Sequence, residues 1–500
     1  MNNIAKILKE TLPEQSCYVG GCLRDSILKR PSGDVDIALP KENIKKYALT
    51  LAKKLSATAF EMDAKFGVWR LITKKGNLQI DLTAFQGKDL KQDLQRRDFT
   101  INALAYPVSA QPEIKLLTET SKTFVRITKL KNKEIIDLAT SVKDIKNKTV
   151  KMSNNKVFKE DPLRSLRAFR TATELGFKID KKTLEQIKKD AKQINKSAGE
   201  RIREELVRIF NQNNTKKHLE DMDRCGLLTA LFPILEDQRR CAEVYYGKGG
   251  VLKHTLLVVD AAEYLLNNTK KVFPKYHKKL EKFTKDKTLY KMAALLHDVA
   301  KPATAKEMEG RLRFFFHEAV GAKIAEDILK KLRYSTAQTR MICAMIREHL
   351  RPSNLASNDV LTDKAVYKFF RDMGEAGVPM LLLCWSDYCS YITRNQLFKI
   401  LPLTTKPVMT IDESKEKGNV SKTLRHMQVV NHLFKKYFEQ TPKINPPKII
   451  DGKEIMTALK IKPGPVIGEI LEAVALAQVE GKVKNKSDAV KFIKTLKIKS

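Results

Sequence analysis

The chain has 500 residues, with 94 Lys and Arg against 58 Asp and Glu, a formal net charge of +36. Its 42% hydrophobic and 30% charged content allows ordinary cores and excludes a disordered tail, a membrane-embedded bundle and a fibrous rod, while its length calls for several domains. A cationic surplus of this size concentrates phosphates around the surface and predicts an RNA or DNA partner, with a membrane surface or a simple lysine bias as alternatives. The seven cysteines (Cys17, Cys22, Cys225, Cys241, Cys343, Cys384, Cys389) lack CxxC spacing and read as reduced cytoplasmic thiols. No export signal opens the chain, and its most apolar run, VPMLLLCW, is too short to span a bilayer, so no membrane association is expected.

In chain order, residues 1–140 carry short β-type runs (SCYVGG, DVDIALP, FGVWRLI, LQIDLTAF) around a helix-like 41–55, predicting a mixed head of strands and helices. Residues 141–245 are helical throughout, with Leu163, Leu166, Phe169 and Leu175 near helical spacing. Residues 246–395 are helical and rich in His and Asp. Residues 396–500 open with a polar run, 410–422, read as an exposed connector, and end in a helical, basic tail whose last nineteen residues hold seven Lys and one Asp.

The chemistry concentrates in the head. Gly20-Gly21 follows the apolar CYV and precedes Cys22-Leu23-Arg24-Asp25, so a glycine turn can present backbone N–H groups to phosphate at the start of a helix, with Arg24 as counter-charge. In Gly33-Asp34-Val35-Asp36-Ile37-Ala38-Leu39, Asp34 and Asp36 share one strand face while Val35, Ile37 and Leu39 point to the core. Asp81, in Gln79-Ile80-Asp81-Leu82-Thr83, supplies a third acid by the same alternation. Two carboxylates on one face repel unless a cation lies between them. Mg²⁺, which favours carboxylate and phosphate oxygens, suits a phosphoryl-transfer site of this kind. A bare DxD is equally a pair of solvated acids on an edge strand; its neighbours decide.

Those neighbours are GGCLRD, GDVDIAL, RRDFTINALAY (96–106) and EDPLRSLRAFR (160–170), in this order, joined by DGKEIMTALKIKPGPVIGEILE (451–472). The set resembles the class II tRNA nucleotidyltransferase and bacterial poly(A) polymerase family over essentially the whole chain. The resemblance implies an α+β, polymerase β-like nucleotidyltransferase head (1–140), a helical neck for nucleotide selection and RNA binding (141–245), and a helical basic tail that grips tRNA (396–500). It assigns the catalytic metals to Asp34 and Asp36, and the triphosphate to Gly20, Gly21 and Arg24. Ribose and phosphate contacts fall to Arg97, Asp98 and Asn102, while Arg96 reads as a solvated cation. Asp161 and Arg164, expected at i and i+3 of one helix, would read the pairing edge of C or A as a protein template, with Arg167 and Arg170 holding phosphate or supporting that pair. The implied substrates are tRNA, CTP and ATP.

One stretch departs from the pattern. Between Ala84 and Arg96 lies only FQGKDLKQDLQ, where complete CCA-adding members have a longer flexible loop, and Gln86 stands where Arg is usual. This resembles members that add two cytidines and leave the final A to a separate A-adding enzyme. CC addition, full CCA addition and poly(A) synthesis stay open; no obligate protein partner is expected.

Residues 246–395 contain His254, His297-Asp298, His317, His349 and Asp387 in series, a donor set suited to a divalent transition metal (Mn, Ni, Co, Fe or Zn), with the adjacent His-Asp pair able to ligate one ion or bridge two. LLHDVAKP resembles the HD phosphohydrolase signature, which implies metal-dependent phosphodiester or phosphomonoester hydrolysis. A phosphohydrolase whose head only docks RNA, and a non-catalytic RNA-binding factor, are the competing classes; the acids of the head argue against both.

Overall fold

The computed structural model describes residues 4–64, 66–74, 77–119, 122–416 and 418–496. The chain divides into two compact units, Met1–Ile209 with Asp221–Leu231, and Phe210–Glu220 with Phe232–Ser500.

The first unit is built on a seven-stranded mixed sheet. Its strands are β1 (Cys17–Val19), β2 (Asp34–Leu39), β3 (Ala57–Asp63), β4 (Val68–Thr73), β5 (Gln79–Ala84), β6 (Leu104–Pro107) and, after a separate hairpin of β7 (Glu113–Glu119) and β8 (Lys122–Thr128), β9 (Ile136–Asp137). The spatial order is β3-β4-β5-β2-β1-β6-β9. Among the described strands of this sheet only β2 and β5 pair parallel, and their register sets Asp36 opposite Asp81. Val35, Ile37, Leu39, Ile80 and Leu82 are fully buried; each contributes roughly 1.5–3 kcal/mol and pins that register, since a one-residue slip would put the acids in the core. Helix Ile44–Leu55 falls within the predicted 41–55. The remainder of this unit is mostly helical, but the stretch expected to be helical throughout also holds a short parallel strand pair, Thr149–Val150 with Lys178–Ile179.

Helix Arg164–Leu175 buries Leu166, Ala168, Phe169 and Ala172 and stops at Gly176, whose φ of 68° is readily reached by glycine. Asp161 lies outside this helix. It ends the short helix Val157–Glu160 in an extended conformation, as expected of a residue preceding proline, and its carboxylate accepts from the Leu163 N–H at 3.2 Å.

The second unit is helical apart from an exposed ribbon, Ala305–Met308 paired with Arg311–Phe314. Helices Gly250–Asn267, Lys287–Leu296, His317–Lys331, Thr336–Glu348 and Gly377–Cys389 carry its core. The polar run 410–422, expected to be an exposed connector, is instead largely helical. It holds Ile411–Glu416 and the start of Asn419–Glu439, with Ser414 buried and most of the run exposed as expected; Gly418, at φ 79°, makes the break between them. Near the C-terminus, Gly452–Leu459, Pro465–Val479 and Lys486–Thr495 enclose their own small core of Ile455, Ile470, Val474, Ala489 and Ile493. Among the described residues, no helix is long and apolar enough to cross a membrane.

Candidate active sites

In the first unit, carboxylate oxygens of Asp34, Asp36 and Asp81 lie within 4.8 Å of one another. Desolvation, reinforced by Asp34 and Asp81, pushes the Asp36 carboxyl up to about 7, and desolvation reinforced by Asp81 raises Asp34. Such a cluster is electrostatically unsatisfied by itself and suits a divalent cation. Asp81 is less free than its neighbours. Arg70, across from it on β4, donates Nε and Nη2 to its two oxygens at 2.9 and 2.8 Å. Sequence reasoning missed Arg70, although its alternation with Trp69 and Leu71 puts it on the acidic face.

The glycine turn lies beside these acids. Gly20 has φ 72°, and a Cβ there would come within 2.9 Å of Arg97 Nη1 and 3.6 Å of Asp36 Oδ2, so only glycine leaves this approach open. Arg24 is braced on both sides, donating to Asp25 at 3.0 Å and to Asn102 Oδ1 at 2.7 Å. Asn102 in turn donates to Asp98 at 3.0 Å, and Asp98 pairs with Arg167 at 2.9 Å. Burial opposes ionisation of Asp98, but Arg167 and Asn102 outweigh it and lower its pKa. Arg97 is held by Asp93 at 2.9 Å, a buried acid with no place in the sequence-based site.

Many of these groups line one cavity of about 440 Å³, whose walls include Gly20, Gly21, Asp36, Asp93, Arg96, Arg97, Asp98, Asn102, Arg164 and Arg167. Arg96, expected to be solvated, is exposed and also stands on the wall of this cavity. Two expectations fail. Asp161 pairs with Arg201 at 3.2 Å and does not share a helix with Arg164, because Pro162 separates them. Arg170 is turned away, pairing with Glu205 at 3.2 Å and Glu174 at 3.8 Å; three residues beyond Arg167 its side chain reaches the helix packed behind.

In the second unit the six His and Asp residues converge. Donor atoms of His254, His297 and Asp387 form one group and those of Asp298, His317 and His349 another, each within 4.8 Å. Asp298 spans both, with Oδ2 3.4 and 3.2 Å from Nε2 of His254 and His297, and Oδ1 3.4 and 3.7 Å from Nε2 of His317 and His349. Each imidazole is oriented from behind. Nδ1 of His297, His317 and His349 meets the carbonyls of Ala294, Phe314 and Ile346 at 2.8, 2.7 and 2.7 Å, and that of His254 meets Ser390 Oγ at 3.1 Å. This leaves Nε2 for a metal. Nε2 of His254, His297 and His317 and Oδ1 of Asp298 and Asp387 are buried without a hydrogen bond, the expected signature of a ligand set. Burial pushes His349 down to about 4, keeping it in the neutral, ligating form. Lys301, a further residue not expected from the sequence, donates to Asp298 Oδ2 at 2.6 Å and to Tyr246 Oη at 2.8 Å. Its i+3 spacing from Asp298 was the available signal.

Residues 17–151 match the poly A polymerase head domain, 176–239 the probable RNA and SrmB-binding site of polymerase A, 251–390 the HD domain and 419–493 tRNA nucleotidyltransferase domain 2. An A-adding tRNA nucleotidyltransferase from Deinococcus radiodurans is 27% identical over 96% of this chain and 95% of its own length. A CC-adding tRNA nucleotidyltransferase from Thermus thermophilus is 27% identical over 96% and 93%. In fold the chain is similar to a solved CCA-adding enzyme in its apo form, with TM-score 0.58, 17% identity and coverage of 99% and 97%. It is also similar to the Thermotoga maritima CCA-adding enzyme complexed with tRNA, with TM-score 0.54, 18% identity and coverage of 99% and 98%. Poly A polymerase head, HD and tRNA nucleotidyltransferase domains are thus matched in the order that the motifs required, in a chain similar over nearly its whole length to A-adding and CC-adding tRNA nucleotidyltransferases.

Proposed function

We propose that this protein is a cytoplasmic, Mg²⁺-dependent enzyme that adds C, and not the terminal A, to the 3′ end of tRNA without a nucleic-acid template. The observation that carries the reaction is the cluster of Asp34, Asp36 and Asp81 beside the Gly20 turn, with Asp36 on the wall of a cavity that also presents Arg96, Arg97, Arg164, Arg167 and Asn102. Mg²⁺ bound to Asp34 and Asp36 would lower the cost of bringing a hydroxyl and a triphosphate together. The tRNA 3′-oxygen bonds to the α-phosphorus of the nucleotide, the bond to the β-phosphate oxygen breaks and pyrophosphate leaves. The Gly20-Gly21 turn and Arg24 hold the triphosphate, and Asp98 and Asn102 address the ribose. Arg164 faces the cavity and is the candidate for reading the base. Asp161 would have to leave Arg201 to join it.

The restriction to C rests on the short segment after β5. Its helix Leu90–Gln95 is capped by Asp89, Gln86 donates to the carbonyls of Phe66 and Ala84 at 2.9 and 2.8 Å, and Asp93 holds both the Gln86 N–H and Arg97. A segment tied at so many points has little freedom to re-shape the site from C to A. Incubating the protein with tRNA that lacks its terminal CCA, with CTP and ATP, should yield tRNA ending in CC. A CCA product from this protein alone overturns the restriction, and a poly(A) tail overturns the tRNA reading.

The raised Asp36 carboxyl makes a further prediction. Its pKa lies above the ordinary 3.8, near 7, so its contribution to stability is complete below about 4 and is lost as pH rises through about 7. Mg²⁺ offsets that loss. It should raise the Tm of the protein more at pH 8 than at pH 5.5, each kcal/mol appearing as about 2–4 °C for a unit of this size. Equal shifts at both pH values would count against metal binding at this cluster.

The second site supports a metal-dependent phosphohydrolase using a divalent transition metal, held by His254, His297, Asp298, His317, His349 and Asp387.

A further inference from the structure

We propose that the ribbon Ala305–Phe314 is a rail for single-stranded RNA, delivering a phosphorylated oligonucleotide end to the His-Asp site in preference to a mononucleotide. This rests on reading that site as a phosphohydrolase.

The ribbon's register opposes Lys306 to Arg313 and Met308 to Arg311. Directly opposed residues share a face, so one face presents Lys306, Met308, Arg311 and Arg313, all exposed. Lys306 and Arg313 are like charges set across from each other, which weakens an isolated two-stranded ribbon. Among the described residues none of the three cations has an acidic partner within ion-pair distance. A polyanion lying along this face would neutralise all three.

The edge of Arg311–Phe314 and the ring of Phe314 on the opposite face fasten the ribbon to the metal cluster. Leu312 exchanges two hydrogen bonds with the Tyr245 hydroxyl, at 3.0 and 3.1 Å. The adjacent Tyr246 ring stacks on His254 at 4.6 Å. The Phe314 carbonyl accepts from His317 Nδ1 at 2.7 Å, and the Phe314 ring lies edge-on to the same imidazole. The cationic face therefore leads to the ligand set. Phe315 and Phe316 stand at this junction, 56% and 73% exposed, and Phe316 holds φ 62° immediately before His317. A phenylalanine held in a left-handed conformation and facing solvent gains nothing from the fold. Phosphate-binding cations that lead to exposed aromatic rings make a composition that holds single strands, by charge along the backbone and by stacking of bases.

With a 3′-terminal phosphate, water oxygen bonds to phosphorus, the bond from phosphorus to the ribose oxygen breaks, and that oxygen takes up a proton. The products are inorganic phosphate and a free 3′-hydroxyl.

The test uses the full chain loaded with Mn²⁺, assayed on an octaribonucleotide with a 3′-phosphate and on cytidine 3′-phosphate. In the Lys306→Ser/Arg311→Ser/Arg313→Ser variant, KM for the octamer should rise at least tenfold and lose most of its salt dependence, while kcat on the octamer and both constants for the mononucleotide stay within twofold. Phe316→Ala should raise the octamer KM alone. If the wild type hydrolyses both substrates and the triple variant matches it, the rail is overturned and the phosphohydrolase stands. Equal loss on both substrates makes the ribbon a structural support and overturns the rail. If the wild type hydrolyses neither, the phosphohydrolase reading fails, and the rail with it.

Discussion

Replacing Asp36 by Asn should cut nucleotide incorporation into tRNA by roughly 10³-fold while making the metal-free protein more stable at pH 8. The loss follows from removing a carboxylate that a divalent cation needs at the point where charge develops, an effect of several kcal/mol on the barrier. The gain follows from the same residue's surroundings. Asp36 must ionise beside Asp34 and Asp81, and an amide of the same shape removes that repulsion. The two effects have opposite signs, which separates a metal ligand from a structural acid: a residue that only supported the fold would lose activity and stability together. Single-turnover incorporation of labelled CTP and thermal melts with and without Mg²⁺ measure both. Activity within tenfold of wild type would remove the head as the catalyst.

Asp298→Asn should abolish metal-dependent phosphohydrolysis and leave nucleotide addition within about twofold. One oxygen of Asp298 faces His254 and His297, and the other faces His317 and His349, so the substitution disturbs all four imidazoles of the cluster. It also deprives the buried Lys301 ammonium of its closest carboxylate, and breaking a buried ion pair costs about 3–5 kcal/mol. The companion variant Asp298→Asn/Lys301→Met removes both charges. It should recover most of that stability and remain without hydrolysis, which distinguishes loss of the metal from loss of the fold. If addition disappears from the well-folded double variant, the two chemistries are not separable.

Much of the first unit was legible because its strands are short apolar alternations. Runs around Cys17–Val19, Asp34–Leu39, Val68–Thr73 and Gln79–Ala84 are all strands, and the acids lie where alternation puts them. The edge strand Ala57–Asp63 was not legible. It is mostly exposed, so its sequence carries no buried face, and its pairing with β4 alone defines it. The ribbon Ala305–Phe314 was hidden for the same reason inside a stretch read as helical. For the sites, residue type and spacing were enough to name all six members of the His-Asp cluster, since metal donors are few and chemically distinct. They failed for Asp161 and Arg170, whose partners, Arg201 and Glu205, come from a helix 35–40 residues further on. Pairing between distant ions has no local signature. Arg70, Asp93 and Lys301 were missed for a different reason: each acts by restraining another residue, although the i,i+4 spacing of Asp93 and Arg97 and the i,i+3 spacing of Asp298 and Lys301 were local signals.

The parallel pairing of β2 with β5 has a consequence for how this chain tolerates changes in length. Asp36 and Asp81 meet only through register, and 44 residues separate them in sequence. Insertions between the strands, in the turns at either end of β3 and β4, leave the rungs of the ladder untouched. Adding or deleting one residue within Gln79–Ala84 exchanges Asp81 for an apolar neighbour and turns the acid towards the core. Indel scanning of the head should therefore return a sharp map, permissive in the turns and forbidden along a six-residue rung, whatever residue is inserted.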